Sequence, residues 1–205
     1  MERFQIHHKN PHKRVIAKAV EVLQNGGLII YPTDTVYGIG CNLYNKAALE
    51  KLYALKKKTK FDPISLIVKD IQQASSYVRI SNFAYKILRR CLPGPFTFIL
   101  PSGREIPKIM LSRRKEVGIR VPDNEVCLAL LDAHPYPLVN TSVNLQPDEL
   151  LNNPDDIERL YKHAVDLMLD IGWIPDAQES TVVSLVGDEL KVLREGKGKL
   201  DQLFI

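Results

Sequence analysis

Short apolar runs alternate along this chain with segments whose apolar residues recur at helical spacing. The run from Gly27 to Tyr31 is continuous and bounded by glycine and proline, which is typical of a strand covered on both faces. A helix is predicted before it over residues 11–24, with Asn10 as its N-cap and Pro11 in its first position. The glycines that follow Asn25 are the expected stop for this helix.

The same pattern predicts the remaining elements and the fold class. Further strands are expected over 65–68, 96–100, 117–121, 138–141, 165–170, 180–185 and 190–194, and further helices over 46–57, 71–76, 82–91, 125–133 and 154–162. Residues 32–42 are predicted to form a loop. Because a turn at Gly187-Asp188 joins the last two strands as a hairpin, the alternation predicts an α/β domain with a twisted mixed sheet flanked by helices.

Length and composition predict one soluble domain over residues 1–205. The chain has 205 residues, 45% hydrophobic and 25% charged, which excludes disordered and collagen-like classes. No apolar run approaches the roughly 20 residues of a membrane helix, and the N-terminus lacks the apolar core of a signal peptide, so we expect no membrane association and a cytoplasmic location. Cys41, Cys91 and Cys127 are odd in number and widely spaced, which favours buried, reduced thiols.

Charge is distributed very unevenly along the chain. Residues 51–120 hold 16 Lys/Arg against 4 Asp/Glu, a balance of +12, whereas residues 121–190 hold 2 against 14, a balance of −12. One interpretation is a basic concave groove for the phosphates of a nucleotide or an RNA. The other is two solvated faces of opposite sign with no binding role.

Three polar segments lie where predicted elements end. Thr33 and Thr35, separated by Asp34, follow a buried strand, where ligands collect in open α/β sheets. Residues 56–60 hold four lysines suited to a triphosphate, and residues 140–144 carry four polar side chains directly after an apolar strand. Each has a structural alternative: a Thr/Asp turn, lysines that complement a helix dipole, and a capped turn.

Two common catalytic designs are absent from the sequence. No glycine-rich phosphate loop of the P-loop or dinucleotide type occurs, so a nucleotide would be held by side chains and strand-end loops. The five histidines lie apart from the polar segments, which argues against a Ser/His/Asp triad or a zinc hydrolase.

Eight short motifs in order resemble those of the YrdC/YciO family, whose better-known branch makes threonylcarbamoyl-AMP for tRNA modification. They cover nearly the whole chain and lie at residues 26–27, 31–38, 56–58, 93–97, 118–122, 141–144, 179–181 and 193–196. The resemblance implies a YrdC/RibB-like fold and a nucleotidyltransferase. It would convert ATP, L-threonine and bicarbonate to threonylcarbamoyl-AMP and pyrophosphate, with downstream tRNA-modification proteins as further partners.

The resemblance also implies the binding residues. ATP contacts would fall on Lys56, Lys58, Asp62, Thr141, Ser142, Asn144 and Arg194, and threonine contacts on Thr33, Thr35, Arg120 and Ser180. No covalent intermediate and no protein metal ligand are implied, because Mg²⁺ would be carried by the ATP phosphates.

Several positions depart from the family pattern and keep alternatives open. Lys58 replaces the usual arginine of a K-x-R motif, Thr59 replaces a proline, the anionic Asp62 replaces the common asparagine, and Ile67 stands where some members have histidine. These features resemble the short YciO-type branch. The alternative function is a protein of the same fold that binds tRNA or double-stranded RNA without full synthase activity; another is a nucleotide-binding relative with different acyl-phosphate or carbamoyl chemistry.

Overall fold

A ten-stranded sheet forms the centre of this computed structural model, which describes residues 1–57, 64–110, 115–144 and 151–204. Its strands are β1 Glu2–Gln5, β2 Ile29–Tyr31, β3 Gly38–Asn42, β4 Ser65–Ile67, β5 Phe96–Pro101, β6 Glu116–Arg120, β7 Leu138–Ser142, β8 Leu167–Asp170, β9 Thr181–Ser184 and β10 Lys191–Arg194. They lie in the order β1-β8-β2-β3-β7-β4-β6-β5-β9-β10. Parallel and antiparallel neighbours occur together, so the predicted mixed α/β sheet is confirmed.

Six α-helices flank the sheet in the described part of the chain. They are α1 Lys13–Gln24, α2 Lys46–Leu55, α3 Ile71–Tyr77, α4 Asn82–Cys91, α5 Glu125–Ala133 and α6 Pro154–Tyr161. Side-chain oxygens of Asn45, Asp70, Ser81, Asn124 and Asn153 accept hydrogen bonds from backbone N–H groups in the first turns of α2 to α6. These caps fix where five helices begin, because they satisfy donors that the helix leaves unpaired. None of the described helices is long and apolar enough to cross a bilayer.

The helices cover the two faces of the sheet unequally. One face packs against α2, α3, α4 and α6 in the larger apolar cluster. The other face packs against α1 and α5, and this smaller cluster draws on β2 and β8 and on the ends of β4 and β7, but on no described residue of β5, β6 or β9. Part of the second face therefore has no apolar helix of the described ranges over it.

Polar and small residues occupy that uncovered part, which we call the polar face. Because side chains alternate between faces, the pairing register places on it Ser65, Thr97, Gly118, Arg120, Asn140 and Ser142, together with the half-buried Ile99 opposite Gly118. The neighbouring residues Leu66, Phe98, Ile119 and Val139 point into the larger cluster. The sheet thus presents a polar floor on a rigid apolar support.

The structure corrects the start of one predicted helix and adds two strands that were not predicted. Helix α1 begins at Lys13 with extended His12 as its N-cap, not at Pro11 with Asn10. The predicted loop 32–42 contains β3, which escaped prediction because Gly38 and Gly40 interrupt its apolar pattern. Strand β1 was also missed, since it is a polar sequence that pairs only with β8 at the edge of the sheet.

The predicted hairpin between the last two strands is confirmed. Strands β9 and β10 pair antiparallel. The turn between them has positive φ angles of 73° at Gly187 and 60° at Asp188. Glycine and aspartate are among the residues that tolerate this left-handed conformation, which is why the pair was a reliable turn signal.

Candidate functional site

The floor of the candidate site is formed by β4, β5 and β6. Thr97 lies opposite Arg120 in the register of β5 and β6, one residue beyond the Phe98–Ile119 pair. At Gly118, an added Cβ would lie 3.2 Å from Thr97 Cγ2 and 3.3 Å from Ser65 Cβ. Gly118 therefore leaves a depression at the centre of the polar face, where a side chain would crowd Thr97 and Ser65.

Lys56 brings the C-terminal end of α2 to the end of β7. Its Nζ donates to the backbone oxygens of Ser142 at 3.1 Å and Asn144 at 2.9 Å, and also to Asn144 Oδ1. The Tyr161 hydroxyl donates to the same Asn144 backbone oxygen at 2.9 Å, which holds this segment from the α6 side. Three of the predicted ATP contacts therefore converge at one end of the polar face.

Glu179 joins β7 to the β9–β10 hairpin. Ser142 Oγ donates to Glu179 Oε1 at 2.9 Å, and Arg194 Nη1 donates to Glu179 Oε2. Arg194 Nη2 also donates to the backbone oxygen of Ser180 at 2.9 Å. In the sheet, β4, β6 and β5 separate β7 from β9, which would place these strands about 19 Å apart if the sheet were flat. This contact indicates that the sheet curves around the polar face and makes it concave.

A second group of polar residues surrounds Arg120. Its Nη2 donates to Asp34 Oδ1 at 2.7 Å and to Thr35 Oγ1 at 3.0 Å. Thr33 Oγ1 lies 3.0 Å from Thr35 Oγ1 and donates to the backbone oxygen of Val36 at 2.6 Å. The loop that follows β2 therefore folds back onto the polar face and fixes the guanidinium at the end of β6.

Lys197 connects the two groups. Its backbone N–H donates to the Glu179 backbone oxygen at 2.8 Å, and its Nζ donates to the Asp34 backbone oxygen at 2.8 Å. A Cβ at Gly196 would overlap the Glu179 oxygen, and a Cβ at Gly198 would lie 2.6 Å from Phe96 Cζ. The two glycines allow this segment to lie flat against the structure, so that Lys197 reaches across the groove.

Eight of the predicted site residues lie in these connected groups. They are Thr33, Thr35, Lys56, Arg120, Ser142, Asn144, Ser180 and Arg194. The expectation for Thr141 needs correction, because its side chain alternates with Asn140 and Ser142 and faces the larger apolar cluster beside Ile39. Lys58, Asp62 and Thr59 lie outside the described residues, so their predicted roles stay predictions.

Three further residues belong to the site although they were not predicted to bind anything: Asp34, Glu179 and Lys197. Asp34 stands between the two predicted threonines, and Glu179 precedes Ser180 in a family motif, so both had a positional signal. Lys197 had none, because its contact depends on how the C-terminal segment crosses the groove. Four described cations and two carboxylates line the groove, and this positive surplus agrees with the basic groove that was predicted.

Two buried ionisable groups under the site are uncharged at neutral pH. Burial raises the pKa of Tyr31, whose hydroxyl donates to Asn140 Oδ1 at 2.7 Å. Burial likewise raises the pKa of the Cys127 thiol, which donates to the Pro32 backbone oxygen at 3.2 Å. Both groups support the loop after β2, and a thiol kept protonated in this way is a poor nucleophile.

Comparison with known proteins identifies a family. The family described as "Telomere recombination", which comprises Sua5, YciO and YrdC, matches residues 21–196. The uncharacterized protein YciO of Escherichia coli is 35% identical over 95% of both chains. Its crystal structure superimposes with a TM-score of 0.93 at 33% identity, covering 99% of this chain and 100% of that chain.

Two other relatives carry more specific descriptions. A protein of Methanocaldococcus jannaschii named putative threonylcarbamoyl-AMP synthase is 32% identical over 90% of this chain and 86% of its own. Sua5 of P. abyssi, solved in complex with L-threonine, has a TM-score of 0.88 and 23% identity, covering 96% of this chain and 58% of the Sua5 chain. The second likeness shows a shared fold. The family match over residues 21–196 and the relatives above 30% identity establish that the chain belongs to the Sua5/YciO/YrdC family.

Proposed function

We propose that this protein forms threonylcarbamoyl-AMP and pyrophosphate from ATP, L-threonine and bicarbonate. The observation that carries the proposal is the convergence of two polar groups on one concave face. One contains Lys56, Ser142 and Arg194, and the other contains Arg120 with its threonine partners. The name of the M. jannaschii relative and the threonine bound to P. abyssi Sua5 support the same reaction.

The first group suits a triphosphate. Lys56 supplies an ammonium group, Arg194 a guanidinium and Ser142 a hydroxyl, and hydrogen bonds from charged donors to phosphate are strong. Glu179 now accepts hydrogen bonds from both Ser142 and Arg194. A phosphate group that accepts hydrogen bonds from Ser142 and Arg194 would therefore replace the Glu179 carboxylate as their acceptor.

The second group suits the carboxylate of threonine. Asp34 and Thr35 position Arg120 at the end of β6 through its Nη2, and the other N–H groups of its guanidinium can donate to a carboxylate. In the proposed reaction a carbamate formed on the amino group attacks the α-phosphate. Placing both substrates in one groove supplies orientation, which can contribute about 7–11 kcal/mol to such a reaction.

Mg²⁺ is expected to arrive with ATP. No group of three or more His, Cys, Asp and Glu side chains within the described ranges is arranged to hold a metal ion. The cationic and hydroxyl donors of the groove fit phosphate oxygens, so the metal would be held by the phosphates. Bound in this way, it would neutralise the charge of the leaving pyrophosphate.

The proposal is tested by measuring pyrophosphate release with each substrate omitted in turn. Release is expected only when ATP, threonine, bicarbonate and Mg²⁺ are all present, with the adduct identified by mass spectrometry. Turnover without threonine, or none at all, would exclude the synthase. Binding of tRNA or double-stranded RNA that weakens steeply with salt, in a protein with no synthase activity, would instead favour the RNA-binding alternative.

Ser142→Ala provides the matched variant for the nucleotide group. Removing the hydroxyl is expected to weaken ATP binding roughly tenfold while the melting temperature falls by no more than about 4 °C, since one hydrogen bond is lost. Ser184→Ala, on β9, serves as the control, because within the described residues the Ser184 hydroxyl bonds only the backbone N–H of Val186 in the adjacent turn. A large loss of stability with normal ATP affinity would return Ser142 to a purely structural role.

A further inference from the structure

The ion pair between Arg120 and Asp34 is incomplete. A carboxylate can meet a guanidinium with both of its oxygens, but here the bond from Nη2 to Oδ1, at 2.7 Å, stands alone. Arg120 Nε and Asp34 Oδ2 are both buried, and neither has a hydrogen-bond partner among the described residues. The pair leaves one donor of a cation and one acceptor of an anion unused.

Burial makes these two unused atoms significant. The side chains of Arg120 and Asp34 are only 6% and 9% exposed. Native proteins seldom bury charged groups without partners, because the lost hydration is not recovered. Thr35 and Lys197 contact other atoms of the pair, namely Nη2 of Arg120 and the backbone oxygen of Asp34. These contacts hold the Arg120 side chain and the Asp34 backbone, but they satisfy neither Nε nor Oδ2.

A cationic donor beside an anionic acceptor matches a ligand that carries both charges. An α-amino acid presents a carboxylate and an ammonium group on the same carbon. We propose that Asp34 binds the α-ammonium group of the amino-acid substrate through Oδ2, while Arg120 Nε donates to its carboxylate. This inference rests on the proposed function and assigns Asp34 as the residue that selects an amino acid over an acid lacking the amino group.

A competing role for Asp34 makes the opposite prediction. If its carboxylate merely occupied the position of the substrate carboxylate on Arg120, removing its charge would strengthen threonine binding. If it binds the ammonium group, removing its charge weakens binding. Without Asp34, this end of the groove would present Arg120 and Lys197 alone, a pair of cations that favours purely anionic ligands over zwitterions.

The test is calorimetric titration, without ATP, of L-threonine and of the analogue in which a hydroxyl replaces its α-amino group. The wild type is expected to bind threonine at least about tenfold more tightly than the hydroxyl analogue, which corresponds to one hydrogen bond between charged groups. Asp34→Asn should abolish that preference by weakening threonine alone. Asp170→Asn is the matched control, because Asp170 is 3% exposed and pairs with Arg3 away from the groove.

The wild type alone supplies a second measurement, which stands even if Asp34→Asn fails to fold. Its affinity for threonine should fall as the pH rises from about 8 to about 10, because the ligand ammonium loses its proton, while affinity for the hydroxyl analogue stays flat. A flat threonine profile, an unchanged preference in Asp34→Asn, or tighter threonine binding by that variant would each overturn the assignment. Threonine binding without ATP-dependent pyrophosphate release would instead reject the synthase and leave this assignment standing.

Discussion

At the scale of single residues, the groove depends on the shape of its cations as well as on their charge. Arg120 reaches Asp34 and Thr35 from a single nitrogen, and Arg194 reaches Glu179 and Ser180 from different nitrogens. A lysine has a single nitrogen, so it cannot make the divided contacts of Arg194, nor bond both partners of Arg120 while a second nitrogen stays available to a ligand. Each guanidinium therefore positions the loop beside it in addition to facing the ligand.

Arg120→Lys is expected to impair threonine use more than ATP use. The variant keeps the charge but loses the planar fork, so the KM for threonine should rise roughly tenfold while the KM for ATP stays within about twofold. Steady-state pyrophosphate release, with each substrate varied in turn, measures both constants. Arg3→Lys changes an ion-paired arginine outside the groove and should leave both unchanged. Equal increases in the two constants for Arg120→Lys would contradict its assignment to the threonine group.

His134 is expected to make stability sensitive to mildly acidic pH. It is 1% exposed, and burial lowers its pKa. Above about pH 6.5 the histidine is neutral in both states; as pH falls from there through the folded-state pKa, only the unfolded chain gains a proton, so stability is lost in that window.

Urea unfolding at about pH 7.5 and about pH 5 measures this loss directly. His134→Gln removes the titrating ring, so its free energy of unfolding should fall less between the two pH values than that of the wild type. An identical fall in both proteins would show that His134 does not contribute to the pH dependence.

At the scale of elements, local signals predicted helices better than they predicted the sheet. Asn124 and Asn153 cap their helices from adjacent positions, so α5 and α6 could be placed from a few neighbouring residues. Strand β3 could not, because its glycines are explained by partners distant in sequence, such as Asn140 beside Gly38.

The site divides in the same way between what sequence predicts and what it does not. The polar segments at the strand ends could be recognised in the sequence, and the family motifs indicated Lys56, Ser142 and Arg194 as ATP-binding residues. The contact from Ser142 to Glu179 was not predictable, since it needs the curvature that brings β7 towards β9. Thr141 was misjudged because a continuous polar motif conceals the strand alternation that turns every second side chain away.

Gly196→Ala is expected to disturb both the C-terminal segment and the site. The added Cβ would meet the Glu179 and Ser180 backbone, which has no flexible end to move aside. We expect the free energy of unfolding to fall by about 1–3 kcal/mol and ATP affinity to fall with it, because Arg194 binds the same backbone. Urea unfolding and ATP titration test this, with exposed Lys199→Ala as the control. Unchanged stability would show that the segment shifts freely.

At the scale of the whole molecule, the groove is lined by parts of the chain that are far apart in sequence. The contributing parts are loop 33–35, the end of α2, β6, β7 and the β9–β10 hairpin. Residues of the basic segment 51–120 and of the acidic segment 121–190 therefore meet in one site. Some basic residues have structural roles instead: Arg90 donates to the Leu203 backbone oxygen at 2.8 Å. Arg113 and Arg114, which belong to the basic segment 51–120, lie outside the described residues.

Ligand binding is expected to stabilise the whole domain. A ligand that connects β7 with the β9–β10 hairpin binds only the folded state, and at a concentration of 100 times its Kd it adds about 2.7 kcal/mol. For a chain of this size, ATP with Mg²⁺ should therefore raise the melting temperature by about 5–10 °C. Differential scanning calorimetry measures the shift, and Ser142→Ala at the same ATP concentration should show a smaller one. No shift in the wild type at saturating ATP would argue against a nucleotide site here.

The carboxylate of Glu179 has a consequence for how ligands enter. It spans the gap between Ser142 and Arg194, so the described walls of the groove are held at a defined width. A ligand that replaces this carboxylate meets donors whose orientation is already set, and such preorganisation reduces the entropy lost on binding. Small phosphate-bearing molecules are thus expected to bind here with little change in the backbone of the groove.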